Sequence, residues 1–312
     1  MTKKKLVGLG SVGVASIGFT VVSLGLGQAS PLEEANQGLV MAGQSSARLV
    51  FGNIPRDVTT GMAGVSRDAV AFRYSGSGMS GGIGVTVWGA ISGMRVHEDF
   101  DGGGKETAFG VGYDFGDVEV GVVKSFSDHF YYTPSGTVST ESDQWGAYVG
   151  WDFGADWHVD GLLLFGDTEA VSGNVAEGDR FAAVASVSKT LIYSGFEIEP
   201  FASFAHVSEE YSAGSFGGTT VGAHTISSYT AALGSKATYI GEGIVHPYVS
   251  LAAEFTGYDD GLGSSGDHFS PRFGAGFEID GSMADVHAGY SAGSMIDGTW
   301  DESVGVSLSL DF

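Results

Sequence analysis

The sequence predicts an all-β protein, a closed antiparallel transmembrane β-barrel of about 12 strands, preceded by a helical segment. Three observations predict it. Apolar residues alternate with small or polar ones in many short runs, which gives each strand one apolar face. Glycine-bearing turns recur between such runs at Gly116, Gly154, Gly195, Gly241 and Gly281, spaced 38 to 46 residues apart. The final run, "SVGVSLSLDF", puts Val304, Val306, Leu308, Leu310 and Phe312 on one parity with no polar tail behind them. In water such a strand is an aggregation-prone edge. The first strand is therefore expected to pair with it, and lipid to cover its apolar face.

Composition narrows the class. The 312 residues include no Cys, 52 Gly and 12% aromatics, with a net charge of −23. So acidic a chain is a poor partner for nucleic acid, whose phosphates require Lys and Arg. Only 16% of residues are charged and the mean hydropathy is +0.12, which argues against a disordered acidic tail.

Residues 1–29 read as a signal peptide: Lys3, Lys4 and Lys5 precede a long uncharged stretch, and small residues at Gly27 and Ala29 fit cleavage after Ala29. Gly8, Gly10 and Gly13 make a formal G-x-G-x-x-G, but position 28 is Gln and no acidic residue follows at the spacing a dinucleotide fold needs. Export places the protein in the outer membrane of a Gram-negative bacterium, since no other stretch is apolar enough for a spanning helix.

Residues 30–80 form a helical linker or plug segment. Glu33 and Glu34 stand near the start of "PLEEANQGLVMAGQSSARLVF" and Arg48 near its end, an order that complements a helix dipole. "MAGVSRDAVAFRY" is a second expected helix, and "SGSGMSGGIG" a linker. Arg48, Arg56, Arg67 and Arg73 balance four acidic residues here, whereas residues 81–312 carry 7 basic and 33 acidic ones. Two placements are open: the arginines thread an acidic lumen, or the segment lies at the surface or in the periplasm. A 12-stranded lumen has room for one helix of about 10–12 Å diameter.

Residues 81–312 supply the barrel. The first strand lies near "GVTVWGAISGMRV", five tight-turn hairpins follow, and the last strand closes the ring. Phe109, Val111, Tyr113 and Phe115 share a parity, as do Trp145, Ala147, Val149, Trp151 and Phe153, with aromatics gathered near the turns as an interfacial girdle. Asp114, Asp152, Asp156, Asp160 and Asp311 fall on lumen parity, while Lys124 falls among outward Val118, Val120 and Val122. Six polar stretches, such as "DHFYYTPSGTVSTESDQ" and "DTEAVSGNVAEGDR", are expected as long loops opposite the short turns.

Catalytic and metal chemistry find little support. Gly78-Met-Ser80-Gly-Gly82 matches G-x-S-x-G but sits in a linker, not a strand–turn–helix elbow. Asp156, His158 and Asp160 are expected on one face near Gly154, more in keeping with a solvated lumen cluster than with acid/base catalysis. The acidic run from Asp99 lacks the ligand positions of a calcium loop. No enzyme activity, cofactor or metal is expected.

The chain resembles the C-terminal translocator (β-barrel) domain of the autotransporter family, as a passenger-poor member. The resemblance rests on "VWGAISG" from Val87, on the aromatic-Asp-aromatic-Gly strand ends, and on Ser303-x-Gly305-x-x-Leu308-x-Leu310-x-Phe312. It covers about residues 80 to 312. The resemblance implies a twelve-stranded barrel traversed by a helix, type V secretion, contact with outer-membrane lipid, and a monomer. It also implies assembly by the barrel-assembly machinery through the Ser303–Phe312 signal. No Asn-Asn pair, the self-cleavage site of some members, occurs in the chain. A small cation-preferring pore and a loop-displaying surface adhesin are the alternative readings; neither passenger nor surface ligand is named by the sequence.

Overall fold

The computed structural model describes helical residues 36, 37, 39, 40 and 42, and residues 70–76, 84–97, 101–133, 136–154, 156–216, 219–280, 284–294 and 299–311. In chain order the strands are β1 (Val70–Gly76), β2 (Gly84–His97), β3 (Asp101–Asp114), β4 (Val118–Thr133), β5 (Gly136–Phe153), β6 (Trp157–Ser172), β7 (Asn174–Lys189) and β8 (Leu191–Tyr193). They continue with β9 (Phe196–Tyr211), β10 (Gly214–Phe216), β11 (Thr219–Val221), β12 (His224–Tyr239), β13 (Val245–Asp259), β14 (Ser265–Asp280), β15 (Ala284–Ser294) and β16 (Trp300–Asp311).

Twelve of these strands close a ring. β2 to β7 pair in sequence, β7 joins β9, β9 joins β12, β12 to β16 pair in sequence, and β16 returns to β2, each pair antiparallel. The final strand thus meets the first, as its apolar parity requires. Direct β16–β2 pairing covers Trp300–Glu302 against Arg95–His97. Nearer the other end β1 lies in the seam, parallel to β16 at Phe72–Ser75 and antiparallel to β2 along its full length. Part of the expected second helix is therefore strand: "VAFRY" alternates with period two and carries β-branched and aromatic residues, and its pairing partners flank it. The rest of that expected helix lies outside the described residues.

One end of the ring, here called the turn end, is closed by tight turns. Gly116 and Gly195 take φ of 94° and 83°, which a side chain tolerates poorly. The Phe115 amide bonds the Val118 carbonyl at 2.8 Å, and Ile240 N–H bonds the Gly195 carbonyl at 2.9 Å. In the β12–β13 turn the positive φ falls on Gly243, not on the expected Gly241. Gly281 lies outside the described residues.

The far end departs from expectation. The stretches read as long loops are largely strand: β4 and β5 leave only residues 134 and 135 between them, and β6 turns into β7 at Gly173. Ser, Thr and Tyr continue the ladder with polar groups on both faces, so hydropathy alternation fades while backbone pairing persists. Asymmetry between the ends therefore comes from polar strand extension rather than loop length.

Alternation sorts the wall. On β5, Trp145, Val149 and Trp151 face outward and are exposed, whereas Thr140, Ser142, Gln144 and Tyr148 face inward and are buried. The outward apolar run Trp145–Phe153 climbs about 20 Å along the axis at a tilt near 40°. That approaches the roughly 25 Å band of membrane barrels. A waist of Val123, Leu162, Leu164, Val184 and Val207 lines the interior, with polar side chains on either side of it.

Candidate functional site

The candidate site is the lumen and its far mouth. Inward parity on neighbouring strands converges polar groups into three clusters. Toward the mouth, Arg180 on β7 donates to Glu209 on β9 and, at 2.7 Å, to the Ser142 hydroxyl on β5. Tyr211 donates to the other Glu209 oxygen at 2.9 Å. Ser125 donates to Glu106 nearby, and the buried His129 ring packs where Gly104 leaves no side chain in its way. Across the lumen, Arg272 on β14 grips Asp301 on β16 through two bonds of 2.7 Å and Glu254 on β13 at 3.1 Å. Toward the turn end, Lys236 donates to Glu278 at 2.9 Å beneath the Tyr248 ring.

Buried charges of this kind need partners, because the cost of leaving one unpaired is several kcal/mol. The wall supplies them from its own strands. The sequence alone does not single out Arg180, Lys236 or Arg272. Parity carries a signal for Arg180, which shares the face of Ala182, Val184 and Ser186, yet parity cannot show which carboxylates stand opposite.

The expected lumen acids separate. Asp160 is buried and accepts from Ser186 at 3.0 Å. Asp152, at the end of β5, contacts His158 on the paired strand. Asp156 sits in the turn with φ of 65°, so strand alternation does not place it beside His158 and Asp160. Of the expected trio, His158 and Asp160 thus share one parity of β6, and Asp156 stands in the turn that precedes the strand. Asp114 and Asp311 end β3 and β16, and Ser303, Gly305, Leu308 and Leu310 lie on β16 with backbone partners on β15. Arg73 lies on β1 opposite Trp88 and Ser309. Arg48, Arg56, Arg67 and Phe312 fall outside the described residues. Lys124 faces outward, pairs with Asp143 and stands 4.6 Å from the Trp145 ring centroid; its stem lies on aromatic surface while its charge is matched.

At the far mouth the helical residues of 36–42 are seated inside the ring. Leu39 and Val40 pack with Val138, Ala170, Tyr211 and Ile226, from β5, β6, β9 and β12. Ala42 packs with Val96 and Tyr131, from β2 and β4. Asn36 donates to Asp260 at 3.4 Å, and Asp260 is itself fixed by amides of Leu262 and Ser264 at 2.9 and 2.8 Å. One short segment thus meets six strands of the wall and the β13–β14 connection.

A polar interior, an apolar exterior and a segment inside the mouth define a membrane-spanning barrel with an internal occupant. The β domain of the Bordetella autotransporter BrkA superposes with a TM-score of 0.58 at 16% identity, over 72% of this chain and 98% of that one. The chain has the fold of an autotransporter translocator domain. The translocator domain of autotransporter NalP from Neisseria meningitidis gives 0.57 at 14% identity, over 73% of this chain and 87% of that one. No family profile matches the sequence, and no curated protein is similar to it. The translocator fold thus rests on shape and on inside-out polarity rather than on sequence likeness.

Proposed function

We propose that the chain is an outer-membrane translocator-type barrel, without catalytic activity, that delivers its N-terminal segment to the cell surface. One observation carries the reading. Asn36, Leu39, Val40 and Ala42 occupy the far mouth, whereas β1 starts halfway up the wall and runs toward the turn end. The 27 residues between Ala42 and Val70 join the two, with a reach of up to about 90 Å against a wall roughly 40 Å high. The tight turns then face the periplasm and the polar extensions face outward. Residues 1–29 serve as the signal peptide, and the Ser303–Phe312 strand presents the signal to the assembly machinery.

Single-cysteine labelling tests this on a chain with no native Cys. Intact cells carrying Glu33→Cys are treated with a membrane-impermeant maleimide. Thr137→Cys is the outer control and Asp117→Cys the periplasmic one. Labelling at 33 comparable to 137, with 117 dark, is the expected result. A dark position 33 beside a labelled 137 leaves the barrel standing and removes the delivery reading.

A further inference from the structure

The outer wall above the apolar belt carries a groove that membrane spanning does not explain. It measures about 500 Å³ and is lined by Arg95, Gly103, Lys105, Asp128, Phe130 and Tyr132, among others. Up the outward face of β4 the order is Phe126, Asp128, Phe130, Tyr132. A charged residue thus separates the belt from two further aromatics, which are 40% and 55% exposed. Rings placed in water beyond a carboxylate are costly unless something covers them.

The geometry is a corner rather than a flat patch. Phe130 and Tyr132 meet edge to face at 68°, with centroids 5.6 Å apart. Gly103 stands opposite Phe130 in the ladder, and a side chain there would lie 2.8 Å from the Met94 carbonyl and 3.7 Å from the Phe130 ring. The glycine floor therefore keeps the corner open. Around it stand both kinds of polar group. Lys105, largely exposed, and Asp128, half-buried, pair at 3.1 Å, and Asp101 lies opposite Tyr132 near His97. Donors and acceptors of mixed sign around an aromatic corner suit a polyhydroxylated ligand. Arg95 and Lys105 can match acidic substituents on its sugars while Asp101 and Asp128 accept from hydroxyls, whereas an acyl chain would bury the Lys105–Asp128 pair.

Height selects the source. Phe130 lies four residues above Phe126, roughly 10 Å along the axis. That is where the saccharide headgroup of a glycolipid in the outer leaflet would lie, just beyond the hydrocarbon. We propose that this groove binds the saccharide portion of an outer-leaflet glycolipid, its pyranose faces stacking on Phe130 and Tyr132 and its hydroxyls bonding to Lys105, Asp128 and Asp101. The proposal rests on the orientation given under Proposed function.

The test uses the full-length protein in detergent and a fluorescent lipopolysaccharide that carries core sugars. Affinity is read by anisotropy, and each variant's fold is checked by heat-modifiable gel mobility. Phe130→Ala/Tyr132→Ala is expected to weaken binding about tenfold or more. Phe165→Ala, an exposed aromatic in another sector, should leave it within about twofold. Tyr132→Ser alone serves if the double variant fails to fold, with a smaller loss expected. The proposal falls if the folded variants bind like wild type, or if lipid A stripped of core sugars binds equally well. It also falls if acyl-free core oligosaccharide binds as tightly, since a free polysaccharide would then be the occupant. Thr137→Cys dark in intact cells would condemn the orientation, a result distinct from loss of sugar binding in detergent.

Discussion

Asn36 donates a hydrogen bond to Asp260 across 224 positions of sequence, tying the N-terminal segment to the β13–β14 connection. Both residues are buried. Asp260 is already oriented by the Leu262 and Ser264 amides, so Asn36 meets a carboxylate that loses little freedom on pairing. Asn36→Ala should therefore loosen the seat without disturbing the wall. A bond to a charged group contributes about 1.5–3 kcal/mol at best, and less at this length. Planar-bilayer recordings should show brief openings in Asn36→Ala that are rare in wild type.

Leu39→Ser should open the mouth further, because it removes apolar packing against Val138, Ala170, Tyr211 and Ile226 and places a hydroxyl there. Loss of a buried Leu typically costs about 2–5 kcal/mol. Deleting residues 31–69, which spares β1, should give a steady conductance. If full-length protein already conducts as the deletion does, the internal segment is no plug and the cation-pore reading gains.

Arg272 offers a sharper test of the wall itself. Its guanidinium serves Asp301 and Glu254 together and is fully buried. Arg272→Leu leaves two carboxylates facing each other in the interior, at a cost of about 3–5 kcal/mol. Urea unfolding should show that loss, and Asp301→Leu added to it should restore part. A single variant as stable as wild type would mean that water or another cation neutralises the pair.

What the sequence disclosed follows from periodicity. Phe109, Val111, Trp145 and Trp151 announced an outward apolar face, because a strand facing lipid alternates cleanly. The closure of β16 on β2 was legible for the same reason. At the far end Ser139, Thr140, Glu141 and Ser142 alternate polar with polar, so nothing in hydropathy distinguishes strand from loop. Parity assigned Asp160 to the lumen but misplaced Asp156, since a turn residue with positive φ breaks the count. The seat of Leu39 and Val40 was not legible at all. Its partners come from four strands brought together only by ring closure, and no local pattern encodes that.

The outward face of the far end holds two rows of carboxylates in register. Asp128, Glu141, Glu169 and Glu177 stand opposite one another on β4 to β7, and Asp143, Asp167, Asp179 and Glu210 on β5, β6, β7 and β9. Lys105 and Lys124 serve only the leading members, Asp128 and Asp143. Like charges directly opposite destabilise a sheet by about 0.2–1 kcal/mol per pair. Asp167 sits between Asp143 and Asp179, so Asp167→Asn relieves two such pairs. It should raise stability by about 0.5–1 kcal/mol in low salt. The gain should shrink near 0.5 M salt, where the screening length drops to about 4 Å. Lys105→Ala should do the reverse, by up to about 1 kcal/mol, discounted for its exposure. Paired urea titrations at the two salt levels decide the matter. If Asp167→Asn is no more stable than wild type in low salt, the rows are not repelling one another.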